Sequence, residues 1–188
     1  KGMEQSAYAT HKATAMLLAY MTCDVGAHHN RSWAITYDLQ VGRELVVPEK
    51  VARIIWLQNF RPMFDVLGSC RLQWVELGID RDLYVPALEA ITGIHRTWAD
   101  LEEVGARIWN LTRMFWVREI ENFGRDWDLP APRFYEEPPK TGVTAGQITS
   151  KEEVQKLLDM YYEQRGWSEN GIPTAETLKK VGLESVVN

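Results

Sequence analysis

Three observations predict an all-α fold. Two stretches, Thr97-Trp98-Ala99-Asp100 and Ser150-Lys151-Glu152-Glu153, carry the side-chain oxygen and acidic residue of a helix-opening capping box. Each is followed by apolar side chains recurring at spacings of three and four, the repeat of one helix face. No convincing alternation of apolar and polar residues marks a half-buried strand.

The elements follow in chain order. Met3 to about Thr22 consists mostly of good helix formers, with Ala7, Ala15, Leu18 and Met21 near one face, and reads as a first helix. Residues 23 to 33, C-D-V-G-A-H-H-N-R-S-W, combine a glycine, a histidine pair and an asparagine. They read as a turn or helix junction whose polar side chains are costly to bury without partners. Pro48 opens a second helix, in which Val51, Ile54, Ile55 and Gln58 keep helical spacing until Pro62 kinks or ends it. A short helix is predicted over residues 83–94. After the first capping box, Leu101, Val104, Ile108, Leu111 and Phe115 form an apolar stripe over four turns. Prolines, glycines and charges break every periodicity from about Gly124 to Gly146, which predicts an extended surface connection. A split into two subdomains would fall near residues 124–147. The second capping box starts a helix that buries Val154, Leu157, Leu158 and Tyr161 and stops near Gly166, and a last short helix follows Pro173-Thr174.

Composition narrows the function classes. At 188 residues, 45% hydrophobic and 25% charged, the chain is a globular mixture for one domain or two small subdomains sharing a core. Eight tryptophans imply a thick core, a face covered by another domain, or some of each. A net charge of -5 without a basic run argues against a nucleic-acid backbone or an anionic membrane as partner. No stretch approaches the ~18 consecutive apolar residues of a membrane span, and the N-terminus lacks the regions of a signal peptide, so the expected compartment is the cytoplasm. The chain begins at Lys1 without a methionine, as expected of a processed product or a piece of something longer.

Two clusters can carry chemistry. In F-D-V-L-G-S-C, residues 64 to 70, a carboxylate, a permissive glycine and a thiol converge in one tight turn after a proline-limited helix. Cys70 reads either as a small buried apolar residue, with Asp65 as a helix or turn cap, or as a ligand. A cubane iron–sulfur cluster needs four thiolates, and the only other cysteine is Cys23. The pair His28-His29 offers proton carriers near neutral pH. Adjacent histidines on a regular backbone point in different directions, and no zinc spacing occurs, so one catalytic histidine beside a structural one is a better reading than a two-histidine metal site. A hydrogen-bonded buried histidine is the plainer alternative. No hydrolase elbow, dinucleotide fingerprint or phosphate loop occurs. The aromatic W-N-L-T-R-M-F-W-V-R-E of residues 109 to 119 reads as core or interface packing rather than a base-stacking platform. Arg113 and Arg118 are available there for carboxylates or other anions.

The ending Y-Y-E-Q-R-G-W-S-E-N-G-I-P-T-A-E-T-L-K-K-V-G-L, residues 161 to 183, resembles that of the tungsten-containing aldehyde ferredoxin oxidoreductase family. The opening K-G-M-E with A-Y-A-T, the L-A-Y-M-T-x-x-x-G-A-x-H of residues 18 to 29, D-V-L-G-S-C and the L-P of residues 129 to 130 resemble the same family in the same order. The resemblance covers essentially the whole chain, residues 1–188, as the multihelical C-terminal region of a larger oxidoreductase.

The resemblance implies a bis-pterin tungsten cofactor of the molybdopterin type and a neighbouring 4Fe-4S cluster, both held only in the full-length protein. The family's D-x-x-G-L-C motif contacts one pterin and closes the cluster. Asp65, Gly68 and Cys70 match it, with Ser69 where leucine is usual. Cys70 is thus the implied metal ligand, and Asp65, Gly68 and Ser69 are the implied cofactor-binding residues. The family's G-A-C-H places a histidine near the metal as proton carrier; His29 matches it, and His28 replaces the cysteine. Val25 stands where arginine is usual and Asn30 where leucine is common. The form M-T-C-D-V-G-A-H-H-N-R-S-W-A-I resembles the branch containing the tungsten subunit of ATP-independent benzoyl-CoA reductases. The implied substrate is therefore an aldehyde or an aromatic acyl-CoA. The implied partners are the remainder of the same polypeptide, ferredoxin or an electron-transfer subunit, and, as one arrangement, a second copy in a homodimer. A helical interaction domain without redox chemistry, binding through its tryptophan-rich surface, is the reading from another class.

Overall fold

The first helix, α1 (Thr14–Thr22), is buried on every side. Its sequence, T-A-M-L-L-A-Y-M-T, has no charged residue, so no face of it requires water. The structure is a computed structural model and describes residues 1–75 and 77–186. Its helices continue as α2 (Ile35–Val41), α3 (Pro48–Phe60), α4 (Pro62–Val66), α5 (Leu72–Val75), α6 (Tyr84–Thr92), α7 (Trp98–Glu119), α8 (Arg133–Glu136), α9 (Lys151–Arg165) and α10 (Ala175–Lys180). Among the described residues, β pairing is confined to one antiparallel bridge between Trp167 and Pro173. The all-α expectation holds.

α3 lies at the centre of the packing, against α1, α7 and α9. One apolar core joins α1 to Val51 and Ile54 of α3, Trp109 of α7, and Val154, Leu157, Leu158 and Tyr161 of α9. The crossing of α3 and α7 depends on Gly105, where an added Cβ would sit 1.8 Å from the Asn59 carbonyl oxygen. Both predicted capping boxes form, on Thr97 with Asp100 and on Ser150 with Glu153. α9 ends at Gly166, left-handed at φ +68. Pro62 separates α3 from α4.

Three expectations are corrected. The first helix begins at Thr14, not Met3, because the preceding segment follows tertiary partners instead of its own helix propensity. The Ser6 amide donates to the Ala27 carbonyl at 3.0 Å, and Lys12 pairs with Glu153 of α9 at 3.1 Å. On α7 the buried face carries Leu101, Gly105, Trp109, Asn110 and Arg113, while Leu111 and Phe115 of the predicted stripe are exposed. Residues 124–146 are mostly irregular, but they include one 3-10 turn (Arg125–Asp128) and the single turn α8.

The tryptophans divide between core and partial exposure. Trp109 and Trp167 are buried and the other six are half-buried. Phe60 anchors an aromatic cluster, with ring centroids 4.9 Å from Trp56, 4.8 Å from Trp74 and 5.4 Å from Phe64. Beyond it, α5 and α6 bury no residue, and Leu77, Leu83 and Ile91 are well exposed.

Candidate functional site

α4 ends at Val66, and after Leu67 the chain turns back over itself. The Gly68 amide donates to the Asp65 carbonyl at 3.2 Å and the Ser69 amide to the Phe64 carbonyl at 2.9 Å. Gly68 takes φ +64, a conformation costly for residues with a Cβ. The turn presents Cys70 to solvent as a free thiol. The reading of Cys70 as a small buried residue therefore fails, because the two-bond turn lifts it out of the apolar layer of Phe60 and Phe64. That description fits Cys23, which is buried, and burial together with the neighbouring Asp24 carboxylate pushes its thiol up to about 11.

Asp65 is not a helix cap; its carboxylate accepts from Arg31 Nη1. Arg31 also donates through Nε to Asp24 at 3.3 Å, so it bridges the 23–33 junction to the cysteine turn. Two more arginines reinforce that link. Arg61 Nη1 donates to the Asn30 carbonyl at 3.1 Å, and Arg71 Nη2 donates to the Asn30 side-chain oxygen.

The same links hold His29. Its Nδ1 lies 3.2 Å from Ser6 Oγ, and Tyr8 and Trp33 meet the ring edge-on, with centroids 5.6 and 5.7 Å away. His28 stacks on His29 at 4.5 Å with planes 19° apart. The expectation that adjacent histidines diverge is thus corrected: the junction has no regular backbone, which frees both rings to face one way. The roles still separate, since His28 Nδ1 accepts from the Asn30 amide at 3.0 Å and serves the turn. Burial, with His28, Arg71 and Arg61 nearby, lowers the pKa of His29, so the imidazole is neutral near pH 7 and able to accept a proton.

His29, Tyr8, Trp33, Arg61, Arg71 and Leu72 line a cavity of about 220 Å³. The cavity brings the predicted histidine beside the residue that follows Cys70. Sequence reasoning missed Tyr8, Trp33, Arg61 and Arg71. A signal existed for Arg61, a cation inside the apolar run N-F-R-P-M-F, and Arg71 adjoins the suspected ligand.

The residues present fit part of a metal and pterin site. No group of three or more His, Cys, Asp or Glu side chains that could hold a metal occurs among the described residues, so a four-thiolate cluster would take its other ligands from elsewhere. Cys70 is accessible for such sharing. Ser69, the residue before it, and Arg61 each bury a polar atom, Oγ and Nε, that has no hydrogen-bond partner among the described residues. Arg113 and Arg118 do not contribute: the first pairs with Asp128 in the core and the second with Glu119 at the surface. Among the described residues, no helix is long and apolar enough to cross a membrane.

Residues 1–183 match the family model described as aldehyde ferredoxin oxidoreductase, domains 2 and 3. The chain is 31% identical over 189 residues to a tungsten-containing aldehyde ferredoxin oxidoreductase of Pyrococcus horikoshii, covering 98% of this chain and 30% of that protein. It is 30% identical to the enzyme of the same name from Pyrococcus abyssi, covering 100% of this chain and 31% of that one. The chain thus spans about a third of the length of these curated relatives. In fold it is similar to a chain of the active-site complex BamBC of benzoyl coenzyme A reductase in complex with 1,5-dienoyl-CoA. That match has a TM-score of 0.57 at 24% identity over 73% of this chain and 20% of that one.

Proposed function

The chain belongs to the aldehyde ferredoxin oxidoreductase family, and from that premise we propose that it forms one wall of a tungsten and iron–sulfur redox centre in a longer polypeptide. The observation that carries this reading is the pairing of an accessible Cys70 turn with an aromatic-walled His29, bridged by Arg31, Arg61 and Arg71. Cys70 supplies one thiolate to a 4Fe-4S cluster. Asp65, Gly68 and Ser69 hold the adjoining turn rigid against one pterin, whose tungsten supplies two-electron redox chemistry when bound. His29 accepts or returns the proton that accompanies the electrons, and Ser6 holds its ring in place.

The substrate is an aldehyde, oxidised to its acid, or an aromatic acyl-CoA, reduced in the ring. Electrons pass to or from ferredoxin or a partner subunit in the cytoplasm. The 188 residues alone lack cofactor and turnover, since one thiolate cannot hold the cluster. A second reading, a non-catalytic helical interaction domain, draws on the exposed apolar residues of α5 and α6.

Anaerobic expression of the full-length protein separates the two. The redox reading expects about four irons and one tungsten per chain, with iron falling sharply in Cys70→Ala and holding in Cys23→Ala. Absence of both metals from the wild type would leave the interaction domain.

A further inference from the structure

Arg61 is a cation in the wrong place for a cation. Its side chain is 3% exposed, and among the described residues it has no carboxylate partner. Its hydrogen bond through Nη1 goes to a neutral carbonyl, that of Asn30, and its Nε has no acceptor among the described residues. Trp74 lies 5.9 Å away and compensates only weakly. A guanidinium does not shed its proton to escape burial, so the charge demands an anion. A second guanidinium, Arg71, lines the same cavity, and its hydrogen bond also goes to a neutral acceptor, the Asn30 side chain. Two cations facing one space, neither matched with a carboxylate among the described residues, make each other's burial more costly. Both costs fall once a negative group enters between them.

We propose that Arg61 and Arg71 form a subsite for one anionic group, a carboxylate or a phosphate, in the cavity beside His29. A planar guanidinium suits the two-point recognition that either group offers. At about 220 Å³ the cavity is smaller than a full cofactor pocket, so it takes a terminal group and not a whole pterin or coenzyme. Tyr8 and Trp33 give it aromatic walls, which favour a carboxylate carried on an apolar or aromatic body. The two sources of such a group are a phosphate of the resident cofactor and the acid group of a substrate or product. The subsite rests on the redox reading only for that choice of source; the two cations without a carboxylate partner among the described residues belong to the chain itself.

The test uses the full-length protein, wild type and Arg61→Gln, with tungsten content per chain and calorimetric titration with benzoate and with inorganic phosphate. If the anion is a substrate acid, wild type binds benzoate, Arg61→Gln weakens that binding at least tenfold, and tungsten content is unchanged. If it is the cofactor's phosphate, tungsten content falls severalfold in Arg61→Gln and the loaded wild type binds neither probe. Binding of phosphate or benzoate to a wild type that holds no metal would keep the subsite and discard the redox reading. Equal tungsten and no probe binding sensitive to Arg61 would overturn the subsite, the charge being answered by a carboxylate elsewhere in the polypeptide. Should Arg61→Gln not fold, Arg71→Gln, which is less buried, gives the same four outcomes.

Discussion

Arg113 donates to both carboxylate oxygens of Asp128 in a part of the core closed to solvent, with 3.0 Å between Nη1 and Oδ1. Tyr162 adds its hydroxyl at 2.8 Å and Lys1 its ammonium at 3.0 Å, so the carboxylate ties α7, α9 and the chain start to the turn at residues 125–128. Burial opposes the charge on Asp128, but Lys1 and Arg113 overcome it and hold its pKa down to about 2.

Acid sensitivity follows with a defined sign. A folded pKa below the unfolded value near 3.8 means that the stabilisation is complete above about pH 4 and is lost as pH falls toward 2. The full shift is worth on the order of 2–3 kcal/mol. Urea unfolding of the full-length protein at pH 7 and pH 3 checks this, and Asp128→Asn should flatten the contribution. At neutral pH that variant should also lose about 3–5 kcal/mol, because Arg113 is left buried and unpaired.

Gly105→Ala should be among the most damaging single-methyl additions. The new Cβ would meet backbone, not a movable side chain, and α7 must lift from α3 to accept it. A loss of at least about 1–3 kcal/mol in chemical denaturation is expected. Alanine at Gly68, where a Cβ meets nothing within 4 Å, should cost only the milder price of its left-handed backbone.

On the redox reading, His29→Asn in the full-length enzyme should lower kcat by roughly 10²–10⁴ while leaving iron and tungsten content intact. The wild-type rate should fall on the acid side of a midpoint below 6.5, where the imidazole is protonated. Arg71→Gln removes one of the cations that keep the ring neutral, so the acid limb should move to higher pH. A pH–rate profile of the two variants and the wild type reads both effects.

Lys50→Met tests the other buried ion pair. Lys50 Nζ donates to Asp38 at 2.6 Å, and the Asp38 carboxylate in turn accepts the Ala15 and Met16 amides that open α1. Burial already pushes the Asp38 carboxyl up against the pull of Lys50, so removing the lysine leaves a buried acid without its cation, and a loss of about 3–5 kcal/mol in denaturation is expected.

The helix ends were legible where short-range chemistry decides them: the Thr97 and Ser150 capping boxes, Pro48, Pro62 and Gly166 all act through neighbours within four residues. The faces were legible only where burial means apolar. α9 obeys that equation, and α7 does not. Gly105 carries no hydrophobic signal yet makes the closest helix approach, and Arg113 and Asn110 are buried because Asp128 and Trp167 meet them from distant segments. The candidate site divides in the same way. Cys70 and His29 stood out as residue types in a suggestive context, whereas Arg61 needed the fold to show that no carboxylate among the described residues pairs with it.

The burial of α1 on every side also sets an order of events during synthesis. α1 is complete at Thr22, but the helix that closes its core, α9, ends at Arg165. At roughly 5–20 residues per second, the ribosome leaves this uncharged helix without its lid for about 7–30 s. A nascent chain with so long an interval is a natural client for a chaperone that holds apolar segments until their partners emerge.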